Sequence, residues 1–148
     1  MSVNPELAGR AYPPTEPYLV GREKIREFAS AVQATDPAHF DVAAARAAGH
    51  DDLVAPPTFS IVVQQRGLDQ LLSDESAGIE LHRVVHGDQR FVLERPIIAG
   101  DELTVQFSVA NVRSLGGNSM LSTEAEITDA DGELVAVSYA TLVVGGES

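Results

Sequence analysis

Residues 102–109 read ELTVQFSV, in which every second residue, beginning with Leu103, is apolar and the others are polar. Successive side chains of an extended strand point to opposite faces, so this period of two gives the strand one apolar face. The alternation recurs at residues 121–127, and residues 134–144 supply a further strand. Runs of Gly, Asn and Asp that favour turns separate these stretches. The pattern predicts antiparallel strands that are buried on one side.

Upstream of the strands, three stretches have the character of helices. In residues 22–32 the apolar positions recur every three or four residues, which predicts an amphipathic helix. A short helix is expected at residues 42–48, with Asp41 as its N-cap. The pair Pro56-Pro57 disfavours helix before it but suits a first helical turn, so a long, largely apolar helix is expected at about residues 58–72.

One long helix followed by at least four antiparallel strands indicates an α+β fold, because a helix on one face of a meander buries both partners. The length of 148 residues is that of one domain. Residues 1–17 are rich in proline and are expected to form an extended arm that can wrap a neighbour, ahead of a domain at residues 18–148. The pair Gly87-Asp88 is interpreted as a turn. The competing fold is a lone cone-shaped sheet with N-terminal helices.

Composition limits the classes of partner. There are 22 acidic and 10 basic residues, and the net charge is -12. This charge repels phosphate backbones and anionic lipids, so we expect neither nucleic acid nor a membrane as a partner. The chain has no cysteine, which excludes disulfides and cysteine-based zinc sites and is compatible with a reducing compartment. Because there is no signal-peptide pattern and no apolar run near the ~20 residues of a membrane helix, a cytoplasmic location is expected.

Residues 33–41 read QATDPAHFD. The stretch resembles the active-site loop of the MaoC-like, or R-specific enoyl hydratase, family, which usually reads Gly-Asp-x-Asn-Pro-x-His-x-Asp. Pro37, His39 and Asp41 fit that loop. The resemblance implies a hotdog fold, in which an antiparallel sheet wraps around a long central helix.

Other stretches extend the resemblance. Residues 95–103 read RPIIAGDEL, similar to the strand-turn-strand segment of MaoC-like proteins. Residues 20–29 and 53–59 resemble the non-catalytic subunit of heterodimeric (3R)-hydroxyacyl-carrier-protein dehydratases of actinobacterial-type fatty-acid elongation. The resemblance therefore implies a single hotdog domain and a second, catalytic subunit.

The family's reaction is the reversible addition of water to a trans-2-enoyl thioester, which gives the (3R)-3-hydroxyacyl thioester. An Asp and a His hold the water and transfer protons, and a backbone N–H at the start of the central helix polarises the carbonyl. The His corresponds to His39, but the Asp corresponds to Ala34 and the N–H position to Pro57. Alanine exchanges no proton and proline has no N–H. The resemblance thus implies that the isolated chain is a very poor hydratase.

The candidate catalytic residues are His39 and Asp36, the latter two positions beyond Ala34. Asp36 is the carboxylate that could replace the missing one, but an Asp before proline also suits a turn or cap. His39 alone also suits a packing role. The other histidines have no spaced carboxylate or cysteine partners, so no metal ion is expected, and no cofactor is implied.

The residues expected along an acyl channel are Phe59, Val62 and Val63, near the start of the long helix, with core packing as the other interpretation. Arg22 and its basic neighbours on the first helix could meet the phosphates of coenzyme A or an acidic carrier protein. The interleaved glutamates favour a solvated helix face instead.

The leading hypothesis is a non-catalytic, substrate-channel-forming subunit of a (3R)-hydroxyacyl-thioester dehydratase or enoyl hydratase, paired with a catalytic MaoC-like hotdog subunit. The acyl thioester is linked to a carrier protein or to coenzyme A. A single hotdog leaves an open sheet edge and a half-formed groove, which pairing would close. One alternative is a homodimer that binds an acyl thioester without turning it over. The other is a weakly active hydratase that uses Asp36 and His39.

Overall fold

The structure is a computed structural model that describes residues 3–146. Within these residues, three α-helices precede four long strands, and a two-residue strand completes the sheet. The helices are α1 (Arg22–Ala31), α2 (Val42–Ala47) and α3 (Ser60–Leu72), and the strands are β1 (Tyr18–Leu19), β2 (Val84–Leu93), β3 (Glu102–Leu115), β4 (Asn118–Thr128) and β5 (Leu134–Val144). Residues 1–2 of the predicted arm and residues 147–148 of the predicted domain lie outside this range. No helix in the described part is long and apolar enough to cross a membrane.

The five strands form one antiparallel sheet in the order β1-β3-β4-β5-β2. Helix α3 packs against this sheet, and a 3₁₀ turn at Pro57–Phe59 leads into it. The helices predicted at 22–32, 42–48 and 58–72 are confirmed, as are the strands predicted around 102–109, 121–127 and 134–144. The predicted α+β class is therefore confirmed.

Helix α3 approaches β3 closely because Gly67 has no side chain. A Cβ atom at this position would lie 2.8 Å from Cβ of Phe107 and 2.9 Å from Cγ1 of Val105. Both of these side chains are fully buried. The helix and the sheet consequently share one continuous apolar core, as close-packed interiors require.

The segment before β1 lies along β3 of its own chain. Ala11 forms an antiparallel bridge with Ser108, and two apolar side chains of the segment are buried in the core. The hydroxyl of Tyr12 donates a hydrogen bond of 2.7 Å to Asp74, just beyond α3. The segment thus covers the edge of its own sheet, and wrapping around a neighbour stays a prediction.

Strand β2 lies at the other edge of the sheet. It pairs with β5 on one side and, within residues 3–146, with no strand on the other. The turn predicted at Gly87-Asp88 is wrong, because the strand continues through these residues with a register shift between His86 and Asp88. A bulge takes up the extra residue and bends the strand without ending it. Val85 and Val92 expose apolar side chains on this strand.

Candidate functional site

A cavity of about 390 Å³ lies beside the start of α3. Its walls come from the loop before α2, the segment that leads into α3 and the connection between β2 and β3. The lining residues are Asp36, His39, Val54, Ala55, Pro56, Pro57, Leu93, Arg95, Pro96 and Ile97. The structure therefore brings the candidate pair Asp36 and His39 into one cavity with Pro57.

The imidazole of His39 is held by the backbone. Its Nδ1 lies 2.6 Å from the carbonyl oxygen of Val54, and the residue is 9% exposed. A carbonyl only accepts hydrogen bonds, so Nδ1 must carry the proton and Nε2 is the nitrogen left for another partner. The N–H of Val54 in turn donates to the carbonyl of Ala38 at 3.1 Å. This reciprocal pair of hydrogen bonds ties the loop that carries His39 to the segment before α3.

Asp36 is the N-cap residue of the 3₁₀ turn Pro37–His39. Its Oδ1 accepts a hydrogen bond of 3.0 Å from the N–H of Ala38, which is the N-cap interaction expected of an Asp before proline. The residue is exposed and lines the cavity, so its second carboxylate oxygen is accessible there. Asp36 is thus a cap residue by geometry and also the carboxylate that shares a cavity with His39.

The residue in place of the family's catalytic Asp contributes no polar side chain. The N–H of Ala34 donates to the carbonyl of Ala29 at 2.8 Å, and this bond closes the C-terminal turn of α1. Gln33 has a left-handed φ of 59°, at the position where the resembled loop has Gly. Glycine adopts that conformation without steric penalty, which explains the usual residue of the loop. Ala34 itself is not among the residues that line the cavity.

The start of α3 offers few backbone donors to the cavity. Pro56 and Pro57 both line it, and neither has an N–H. The first backbone N–H at this end of the helix belongs to Thr58. Pro57, the position to which the resemblance assigns the oxyanion donor, therefore has no N–H to donate.

Arg95 also lines this cavity. Its two Nη atoms bind both carboxylate oxygens of Asp101 at 2.8 and 3.1 Å, Asp129 at 3.2 Å and the carbonyl of Pro96 at 2.9 Å. The hydrogen bonds to Asp101 raise the pKa of the Arg95 guanidinium above its ordinary value. Burial acts to raise the pKa of Asp129, but hydrogen bonds from the N–H of Glu133 and from Arg95 outweigh it and leave that pKa lowered.

The residues predicted along an acyl channel lie elsewhere. Phe59 and Val63 are fully buried in the core, and the ring of Phe59 packs edge-on against Phe28 at 5.4 Å. Val62 is half-buried and borders a separate surface depression with Tyr18. None of the three lines the cavity that contains His39. Their role in substrate binding stays a prediction.

The basic residues of α1 each lie beside a carboxylate. Arg22 makes a two-point contact with Asp52, Arg26 contacts Glu23, and Lys24 lies 3.7 Å from the carboxylate of the next helical turn. This favours the solvated helix face over a phosphate site. Within residues 3–146, no group of three potential metal ligands comes together.

The fold and the cavity define a class, that of hotdog proteins related to MaoC-like dehydratases and hydratases. The chain belongs to the family described as FAS1-like, dehydratase domain region, whose model matches residues 6–138. A UPF0336 protein of Leifsonia xyli subsp. xyli is 63% identical over 145 residues, covering 98% of this chain and 97% of that protein. The predicted hotdog fold and the MaoC-like resemblance are thereby confirmed.

Two solved structures of this class share substantial sequence identity with the chain. One is the C-terminally truncated HadBC (3R-hydroxyacyl-ACP dehydratase) complex from Mycobacterium tuberculosis, with 38% identity, a TM-score of 0.79, and coverage of 93% of this chain and 96% of that one. The other is a MaoC-like dehydratase with 34% identity and a TM-score of 0.85, for which the match covers 94% of this chain and 42% of that one.

Proposed function

We propose that this chain is the non-catalytic, channel-forming subunit of a (3R)-hydroxyacyl-thioester dehydratase or enoyl hydratase in fatty-acid metabolism, and that it works with a catalytic MaoC-like hotdog subunit. The observation that carries the proposal is the pair of replacements around His39. Ala34 stands where the resembled loop has its Asp, and Pro57 stands where an N–H would polarise the thioester carbonyl.

The size of the expected defect follows from the two missing groups. General acid–base help is worth about 10²–10⁴-fold in rate. An oxyanion-hole donor contributes roughly another 10²–10³-fold. A chain that lacks both retains a fold and a cavity but very little hydration activity of its own.

The open edge of β2 supports pairing with a second hotdog. Its ten residues offer backbone donors and acceptors along one side, and Val85 and Val92 leave apolar surface beside them. A long unpaired edge of this kind is a template for another strand. The 38% identical structure is described as a complex of a (3R)-hydroxyacyl-ACP dehydratase, which is consistent with such an arrangement.

The charge of the chain favours substrate delivery through the partner. With a net charge of -12 and the α1 basic residues already beside carboxylates, the surface repels an acidic carrier protein. The carrier docking site is therefore assigned to the catalytic subunit. The acyl carrier is a protein or coenzyme A, and the cytoplasmic location stays a prediction.

Reciprocal substitution in the reconstituted pair tests this division of labour. Replacing the catalytic Asp of the MaoC-like partner by Ala should abolish hydration of crotonyl-CoA, since this chain has no Asp to substitute for it. The double substitution Asp36→Asn and His39→Asn in this chain should leave most of the turnover. Residual activity that persists without the partner's Asp, but vanishes with the double substitution here, would contradict the proposal.

The second candidate function is a weakly active hydratase that uses Asp36 and His39. It is favoured by one observation, namely that both side chains line the same cavity. Asp36→Asn preserves an acceptor for the N–H of Ala38, whereas Asp36→Ala removes it. If Asp36 is only a cap, the Asn variant should match the wild-type chain in both stability and residual activity. If Asp36 is a base, both variants should lose activity equally.

The homodimeric acyl-thioester-binding alternative would use the same edge of β2 with a second copy of the chain. The mass of the purified chain in solution separates it from the leading proposal. A stable homodimer that retains a long-chain acyl thioester would favour the binder. A chain that stays soluble only with its partner would favour the heterodimer.

A further inference from the structure

Arg95 lies where two connections of the sheet meet. It belongs to the connection between β2 and β3, and it reaches Asp101 at the end of that same connection. It also reaches Asp129 in the turn between β4 and β5, a residue that is 34 positions away. Asp129 is itself fixed, because its Oδ1 accepts hydrogen bonds of 3.0 Å from the N–H groups of Asp131 and Glu133.

Hydrogen bonds and the backbone between them connect Arg95 and its partners Asp101, Asp129 and Pro96, together called the clamp, to His39. Asp101 also accepts a hydrogen bond of 2.9 Å from the N–H of Ile98, so the connection is folded around its carboxylate. That connection pairs with residues 53–55 through an antiparallel bridge between Ile98 and Val54. Val54 then accepts the Nδ1 hydrogen bond of His39. Arg95 is therefore coupled to the imidazole through the backbone that forms the cavity wall.

Four of the five N–H donors of the Arg95 guanidinium, those on the two Nη atoms, are engaged in these contacts. Each Nη atom carries two hydrogens, and the four contacts with Asp101, Asp129 and Pro96 account for all of them. Two carboxylates also surround the one positive charge. An incoming phosphate or thioester oxygen would have to displace these partners to bind the Nη atoms. The geometry therefore favours a structural role of Arg95 over anion binding.

We infer that Arg95 is a positioning residue that sets the wall of the cavity and, through Val54, the orientation of the His39 imidazole. The planar fork is essential to this role, because a lysine ammonium cannot span Asp101 and Asp129 with the same geometry. Arg95 has this structural role in the isolated chain. Its consequence for substrate affinity rests on the proposed function.

Nitrogen-15 NMR of the histidine rings tests the inference directly. In the wild-type chain, the Nδ1 proton of His39 should exchange slowly with solvent, and His39→Asn should identify its signal by removing it. In Arg95→Ala, exchange of that proton should accelerate by about tenfold or more, which corresponds to about 1.4 kcal/mol of lost protection. Unchanged exchange and chemical shift in Arg95→Ala would overturn the inference.

Arg83→Ala is the matched control. Arg83 also bridges two segments, through Glu80 at 2.8 Å and the carbonyl of Gly146, but neither partner lines the cavity. It should leave the His39 signal unchanged, and an equal acceleration there would mean that the effect reflects global stability, which would also overturn the inference. If Arg95→Ala does not fold, Asp129→Asn removes one arm of the clamp and should shift the signal in the same direction.

The kinetic consequence separates this inference from the proposed function. In the reconstituted pair, Arg95→Ala should raise the KM for crotonyl-CoA more than it lowers kcat, because it alters a wall and no reacting group. If the wild-type pair shows no activity, the proposed function fails while the NMR result still decides the role of Arg95.

Discussion

Substitution of His39 separates a structural role from a chemical one. The imidazole is nearly buried and donates a 2.6 Å hydrogen bond to the carbonyl of Val54. In His39→Ala, the partly buried carbonyl of Val54 loses its donor, which costs up to about 1–3 kcal/mol. Loss of ring packing adds to this, near the lower end of the roughly 2–5 kcal/mol seen for large-to-small core substitutions, because the ring already borders a cavity. Allowing for partial relaxation, we expect the free energy of unfolding to fall by about 2–4 kcal/mol.

His39→Asn is the matched variant, because its side-chain amide can donate to Val54 from nearly the position of Nδ1 while Nε2 is lost. We expect it to recover about half of the stability lost in the Ala variant. Urea or thermal unfolding of the chain, or of its complex, measures both effects. For a domain of this size, each kcal/mol corresponds to about 2–4 °C in Tm.

Turnover by the reconstituted pair then decides the role of the imidazole. If His39 only braces the loop, the pair containing His39→Asn should keep kcat within about twofold of wild type, whereas loss of a general acid or base would lower it by about 10²–10⁴-fold. A stable Asn variant with a loss of that size would refute the reasoning, since the imidazole would then take part in the chemistry.

Three further predictions concern the packing, the pH dependence and the cap. Gly67→Ala should destabilise the chain by up to about 2 kcal/mol in urea unfolding, because overpacking against Phe107 costs about 1–3 kcal/mol and a helix-propensity gain of about 1 kcal/mol offsets only part of that cost. The hydrogen bond from the Ser76 hydroxyl, followed by that from Tyr12, lowers the pKa of Asp74 to about 2, so its contribution to stability should be lost as the pH falls from about 4 to about 2. Asp36→Ala should cost about 0.5–2 kcal/mol of unfolding free energy, and Asp36→Asn much less.

The outcomes that would contradict these predictions are specific. A Gly67→Ala chain that is more stable than wild type would show that α3 can move away from β3, and Gln65→Ala on the exposed side of the helix is the control. Asp74→Asn should reduce the loss of stability between about pH 4 and about pH 2. An unchanged loss would mean that other carboxylates cause it. Burial, followed by the hydrogen bond to Asp74, raises the pKa of Tyr12 to about 12, so stability should also decline from about pH 10 upward, and Tyr12→Phe should remove that decline.

The parts of the fold that the sequence predicts are those with one buried face. Strands β3, β4 and β5 alternate in burial at residues 103–109, 121–127 and 138–144, so the period of two is visible in the residues themselves. Strand β2 is mostly exposed on both faces, and its pattern has no such alternation. This is why Gly87-Asp88 was interpreted as a turn, although the structure has a bulge there.

In the candidate site, the sequence predicts contacts within one loop but not contacts between residues that are distant in the chain. The spacing of Asp36 and His39 in one loop was sufficient to predict that they share a site, because a short 3₁₀ turn connects them. The hydrogen-bonded ion pair of Arg95 and Asp129 joins residues that are distant in the chain, so no local pattern reveals it. The sequence of residues 95–103 resembles a family segment, but this resemblance does not predict the contacts that Arg95 makes. The channel residues are predicted from their position near the helix start; Phe59 and Val63 lie in the core and do not line this cavity, and their role in substrate binding stays a prediction.

Initial rates of crotonyl-CoA hydration test the central claim most directly. They should be compared for the purified chain, for a MaoC-like catalytic subunit and for their equimolar mixture. The account predicts negligible hydration by this chain and a rate for the mixture well above that of either component. Full activity of the chain on its own would contradict it, because the methyl group of Ala34 and the imide nitrogen of Pro57 could not then be the groups that limit the reaction.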